Sequence, residues 1–238
     1  MFKVGPVIFH LYGLMIGLGV LVGSWAASKK YREVWDGLLW AVGGGIIGAR
    51  LYHVIDYWSY YSQNLTKIIA VWQGGMGIFG GILGGALGLL IFSQSKKKWL
   101  KLLDAGALGL PLGQAIGRWG NFFNQELYGY PSTLPWAIYI KPENRLVQFM
   151  DYKYFQPLFL YESLWCLSVF IILWRLSRRW PLGQGKWLAA YLFLYGLGRF
   201  FLEFLRLNPW QIGGINVGQA ISLGLMAGAG WYLWKKSV

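Results

Sequence analysis

Polar and apolar positions along the chain fall into long blocks. Seven apolar stretches run over residues 7–27, 35–55, 76–93, 100–122, 158–176, 187–205 and 215–234, each close to the ~20 residues that a helix needs to cross a bilayer. The pattern predicts an all-α integral membrane protein with seven transmembrane helices. Glycine recurs inside several stretches, as in GGGIIGAR and GGILGGALG; small residues let helix backbones approach closely where lipid supplies no hydrophobic drive. Only the segment 127–157 breaks the pattern, with Pro131, Pro135, Pro142 and several charges. It is expected to form a small head or lid inserted in a single transmembrane domain covering 1–238.

Composition supports this reading. The 238 residues are 56% hydrophobic and 13% charged, with a mean hydropathy of +0.41, whereas a soluble domain carries about 25% charged residues. The single cysteine, Cys166, lies in the apolar run LWCLSVFIILW. It reads as a small membrane-embedded hydrophobe and leaves no disulfide framework.

A net charge of +13 raises the question of nucleic acid, and the distribution of the charge answers it. Lys29, Lys30 and Arg32 follow the first span; Lys96, Lys97, Lys98 and Lys101 separate the third from the fourth. Arg175, Arg178, Arg179 and Lys186 separate the fifth from the sixth, and Lys235 and Lys236 close the chain. More than half of the 22 basic residues thus sit on alternate loops, the signature of cytoplasmic connections and of attraction to anionic lipid. The N-terminus is predicted outside, the C-terminus cytoplasmic and 127–157 extracytoplasmic, with no nucleic-acid partner. The basic cluster after the first span is the wrong flank for a cleaved signal peptide, so that span is expected to be retained. Many of the 15 tryptophans lie near span ends, as interfacial belts require.

Three arginines remain at membrane depth: Arg50, Arg118 and Arg199. A charge there is costly unless it meets a partner, a cavity or a substrate. In the sixth span, Tyr195, Arg199, Glu203 and Arg206 fall within roughly 80° of one helix face; an internal Arg199–Glu203 pair is the simplest structural explanation. The stretch GRWGNFFNQELYG, Gly117 to Gly129, would place Arg118, Asn121, Gln125 and Gly129 on one face if helical, with Glu126 at its edge. Its glycines suggest instead that the helix loosens there, in protein or beside a wet cavity. A polar network locking helices together is the plainer alternative. His10, Tyr12, His53, Asp56, Asp104, Tyr161 and Glu162 add polar groups in other spans. Guanidinium groups held by carboxylates suit an anionic phosphate headgroup. No P-loop, HExxH motif, Cys/His cluster or Gly-x-Ser-x-Gly elbow is present, so neither a cofactor nor a metal site is expected. An anion or lipid transporter and a lipid-binding scaffold remain compatible with these residues.

GRWGNFFNQELYG resembles the signature of the prolipoprotein diacylglyceryl transferases, multi-pass enzymes of the bacterial cytoplasmic (inner) membrane. FHLYG, GARLYHV, WQGGMGIFGG, Asp104, PLFLYES and YGLGRFFLEFLR extend the resemblance in order along the chain. It implies seven spans with the N-terminus outside. It also implies transfer of the diacylglyceryl group of phosphatidylglycerol to the lipobox cysteine of a preprolipoprotein, forming a thioether and releasing glycerol phosphate. The nucleophile then belongs to the substrate. By position, the resemblance makes Arg118 the arginine that contacts phosphatidylglycerol, Tyr12 and Arg199 essential residues, and Asn121, Glu126 and Gly129 the remaining signature positions. Glu162, Tyr195, Glu203, Arg206 and His10 match further positions of the pattern. Two positions depart from it: Phe79 and Gln156 stand where many relatives carry histidine.

Overall fold

The computed structural model describes residues 2–4, 7–9 and 11–236. The chain is mostly helical. It forms α1 (Leu11–Ser28), α2 (Val34–Asp56), the single turn α3 (Trp58–Tyr61), α4 (Ile78–Ser93), α5 (Lys96–Asn124), α6 (Leu158–Leu176), α7 (Lys186–Leu202) and α8 (Val217–Lys235). Three two-stranded ribbons accompany them: β1 (Phe2–Val4) with β2 (Val7–Phe9), β3 (Ile138–Tyr139) with β4 (Tyr154–Phe155), and β5 (Gln211–Ile212) with β6 (Ile215–Asn216).

The apolar stretches therefore become helices, and the largest shifts at their starts are two. Val7–Phe9, expected to open the first span, pairs antiparallel with Phe2–Val4, as suits short segments rich in β-branched and aromatic residues. The fourth helix begins at Lys96, four residues early, because the Ser95 hydroxyl accepts a hydrogen bond from the Lys98 N–H (3.3 Å) and caps it. Four helices, α1, α2, α6 and α7 extended to Leu205, are long and apolar enough to cross a membrane; α4 is a shorter apolar helix. Large aliphatic side chains stand outward, Leu39 at 80% and Ile55 at 73% exposure, a surface suited to lipid and not to water. The chain is a multi-pass membrane protein.

The glycine-rich segments pack on each other. GGGIIGAR lies in α2 and GGILGGALG in α4, and Gly44 faces Gly84 so closely that a Cβ on either would run into the other's carbonyl. Gly19 and Gly23 of α1 meet Gly113 and Gly109 of α5 in the same way. Helix α5 also packs on α6 and α7, and α8 packs on α7. Leu108, Val169, Leu173, Trp187 and Tyr191 form the buried cluster among α5, α6 and α7. Cys166 is buried beside Gln114.

Two polar groups expected near a headgroup site serve the fold instead. Asp104 is fully buried. Its carboxylate accepts hydrogen bonds from the N–H groups of Gly183 (2.9 Å), Gly185 (3.0 Å) and Leu188 (3.1 Å), capping the start of α7. Arg50 donates to the carbonyls of Ile68 (2.8 Å), Lys67 (2.5 Å), Gly74 (2.6 Å) and Gly75 (3.0 Å), and its guanidinium lies over the Tyr61 ring. It fastens the connection between α3 and α4, where Gly75 adopts φ +74 against the His53 and Arg50 side chains. His53 packs among Tyr57 and Tyr61.

Candidate active site

Helix α5 carries the signature at its C-terminal end. Gly117 and Gly120 stay helical; the helix stops because Gln125 and Leu127 adopt left-handed φ values of 54° and 53°. Such a conformation costs about 1–2 kcal/mol for a residue with a side chain, and surrounding bonds hold both in place. Gln125 Oε1 accepts from the Lys141 N–H (2.8 Å) and Asn144 Nδ2 (3.2 Å), and Leu127 O accepts from the Phe159 N–H (3.1 Å). The stretch folds back on itself, with Glu126 accepting from Asn124 Nδ2 (3.0 Å) and Asn121 Nδ2 (3.4 Å). Asn121 is buried and Glu126 exposed. The helical arc of Arg118, Asn121, Gln125 and Gly129 is thus interrupted after Asn124, by glutamine and leucine in place of the expected glycines.

Gly120 instead provides room for a neighbour. A Cβ there would stand 2.9 Å from the Tyr12 ring, so α1 lays Tyr12 directly on the signature helix. The Tyr12 hydroxyl makes no hydrogen bond among the described residues. His10, from the same FHLYG motif, lies outside the described residues.

Three helices bring charges together beside this point. Glu162, in the second turn of α6, is 5% exposed and lies 2.6 Å from Arg118 Nε and 3.5 Å from Arg199 Nη1. Glu203, 2% exposed, lies 2.9 Å from Arg199 Nη2 and 3.8 Å from Arg206 Nη1. The expected Arg199–Glu203 pair therefore exists as one link in a chain: Arg118, Glu162, Arg199, Glu203, Arg206. Three guanidinium groups against two carboxylates leave one positive charge, each arginine remaining partly accessible. Both Glu162 carboxylate oxygens are buried, one against Arg118 and the other against Arg199. Tyr195, one turn before Arg199, stacks on Tyr191 and does not join the ion pairs.

Glu203 has a further neighbour that sequence reading missed. Gly218, in the first turn of α8, lies so close that a Cβ would come within 2.8 Å of the Glu203 carboxyl carbon. The N-terminus of α8 favours the anion there. Asn216, whose Oδ1 caps the helix at the Gln219 N–H (3.1 Å), is the only sequence signal for this junction.

The segment 127–157 folds over the same end of the bundle. Tyr128, Ile140 and Phe155 form its core, and the Tyr128 hydroxyl donates to Asn144 O (2.6 Å). Burial of Tyr128 raises its pKa. Gly129 donates to Gln156 O (2.8 Å), and a Cβ on Gly129 would sit 3.1 Å from Leu205 O. Gln156 acts here through its main chain, its own N–H donating to Tyr130 O (3.0 Å). Phe79, the other departure, stacks on Tyr52 with ring centres 6.2 Å apart.

A family model described as prolipoprotein diacylglyceryl transferase matches residues 1–235. A phosphatidylglycerol–prolipoprotein diacylglyceryl transferase of Fervidobacterium nodosum is 41% identical over 98% of this chain and 83% of its own length. Enzymes of the same name from a Nostoc species and from Acaryochloris marina are 42% and 41% identical. They cover 98% and 100% of this chain and 89% and 92% of their own lengths. With its signature helix, its paired arginines and this agreement from end to end, the chain belongs to the prolipoprotein diacylglyceryl transferase family.

Proposed function

We propose that this protein transfers the diacylglyceryl group of phosphatidylglycerol to the lipobox cysteine of a preprolipoprotein. Donor and acceptor are supported by the names its relatives carry. The observation that carries the site assignment is the ion-pair chain from Arg118 to Arg206, which joins α5, α6 and the end of α7 and retains one unneutralised positive charge. That balance suits the single negative charge of a phosphodiester. In the reaction a sulfur–carbon bond forms at glycerol C3, the carbon–oxygen bond to phosphate breaks, and the thiol proton is released. Negative charge grows on the departing glycerol phosphate, where Arg118 and Arg199 stabilise it.

In this reading Arg118, Arg199, Tyr12, Asn121 and Glu126 act on the reacting groups. His10, Gly129, Glu162, Tyr195, Glu203 and Arg206 shape the phosphatidylglycerol site. Thiolate is the competent nucleophile, and a free thiol has a pKa of about 8.5. Neighbouring guanidinium charge favours its ionisation, and Glu126 and Tyr12 are the groups able to relay the proton.

The whole chain, 1–238, forms one transmembrane enzyme domain in the cytoplasmic (inner) membrane, with seven spans, the N-terminus outside and the C-terminus cytoplasmic. Support comes from the basic residues on alternate connections and from the packing of α4, α5 and α8 with the four apolar spanning helices. The segment 127–157 is then an extracytoplasmic head and lid. An anion or lipid transporter would use the same arginines, but the relatives' shared name favours transfer. The test is incubation of the purified protein with phosphatidylglycerol and a lipobox peptide. A diacylglyceryl mass adduct on the cysteine is expected, and flux in proteoliposomes without an adduct would favour transport.

A further inference from the structure

Far from Arg118, the opposite end of α6 carries a second set of arginines in a different setting. A groove of about 520 Å3 runs between α1 and α6, walled by Trp25, Phe170 and Trp174 and reaching Arg175 and Arg178. An adjoining hollow of about 410 Å3 shares those two arginines and adds Arg179. None of the three guanidinium groups has a carboxylate or hydrogen-bond partner among the described residues. Lys30 Nζ stands 4.7 Å from the centre of the Trp174 ring, and Lys29 Nζ 4.9 Å from that of Trp25. Five cationic side chains thus rim an apolar cleft.

Positive charge that only fixes topology needs no cleft beside it. Here aromatic walls lead directly into a guanidinium rim, the arrangement that takes an acyl chain along one part and a phosphate at the other. We propose that this groove binds an anionic phospholipid from the leaflet at the basic end, at a site separate from the Arg118 cluster. Glu162 and Arg175 lie 13 residues apart on α6, or about 20 Å along the helix, so one lipid headgroup does not reach both.

The test is native mass spectrometry of the full chain in detergent, titrated with phosphatidylglycerol or with zwitterionic phosphatidylcholine. The wild-type protein is expected to retain a phosphatidylglycerol that Arg118→Ala also retains. The triple variant Arg175→Gln, Arg178→Gln, Arg179→Gln should hold that lipid on the order of a hundredfold more weakly, as loss of three interfacial charges implies. Because that variant also alters the topology signal, Ile171→Trp, which fills the groove and keeps every charge, is measured beside it. Ile171 lines the groove and is 43% exposed, and the same lipid should be lost. Unchanged retention in both groove variants, or equal retention of phosphatidylcholine, would overturn the proposal. So would loss of the lipid in Arg118→Ala alone, which would assign it to the other site.

Discussion

Arg50 and Arg199 are both arginines within long apolar helices, and the structure uses them in opposite ways. Arg50 is 6% exposed and directs its guanidinium at four main-chain carbonyls between residues 67 and 75. It meets no carboxylate among the described residues. Arg199 bridges two buried glutamates contributed by α6 and by the turn after α7, and shares them with two more arginines. The first arrangement consumes the donor capacity of the guanidinium; the second leaves net positive charge and accessible nitrogen. Under the proposed function, that residual charge is what meets the lipid phosphate.

The largest effect should come from Arg199→Ala. Under the proposed mechanism it removes a donor to the leaving phosphate, a loss worth about 2.7–4 kcal/mol or 10²–10³ in rate. It also leaves Glu162 and Glu203 less compensated. The measurement is the initial transfer rate per folded molecule; a rate near that of wild type would place Arg199 with Arg50 as a structural residue. Arg50→Ala should shift the balance the other way, costing about 3 kcal/mol in stability by orphaning several acceptors. Proteolysis should quicken within 65–75, and retained protection there would show that Arg50 does not fasten that connection.

How these roles could be read in advance differs residue by residue. The glycine seams of α2 with α4 were visible because a small residue every fourth position has few other uses in a lipid-facing helix. Arg118 and Arg199 stood out through the cost of burying charge. Arg50 stood out equally, but its partners are main-chain carbonyls of a connection whose path no periodicity reveals. Asp104 was misleading for a related reason: it meets N–H groups some 80 residues away. The end of α5 was anticipated, yet its glycines suggested the wrong agents. Gln125 and Leu127 take the left-handed turn because long-range bonds hold them, from Lys141 and Asn144 of the head and from Phe159 of α6. The chain Arg118–Glu162–Arg199 needed three helices in register, which only tertiary packing supplies.

A smaller effect tests the support behind Glu203. Gly218→Ala places a methyl group against its carboxylate, and displacement of this order should lower transfer between about tenfold and a hundredfold. Stability should fall by only about 1–3 kcal/mol. An unchanged rate would mean that Glu203 does not position the arginines.

The smallest effect belongs to the other end of the molecule. Glu33, between α1 and α2, lies 2.6 Å from Lys98, and this close ammonium is the main cause of its lowered pKa. A carboxylate with a depressed folded pKa stabilises above its unfolded value of about 4.3 and loses that contribution as pH falls through the folded value. Both side chains are solvent-accessible, so Glu33→Gln should cost no more than about 1 kcal/mol at neutral pH. The melting temperatures of variant and wild type should converge in acid; a gap that persists there would point to packing, not charge.

The most direct test compares wild-type protein and Arg118→Ala for formation of a diacylglyceryl adduct on a lipobox peptide, with phosphatidylglycerol as donor and equal folded protein. The adduct is expected with wild type, and an initial rate about 10² to 10³ lower with the variant. No adduct from wild type, or equal rates from the two proteins, would contradict this expectation.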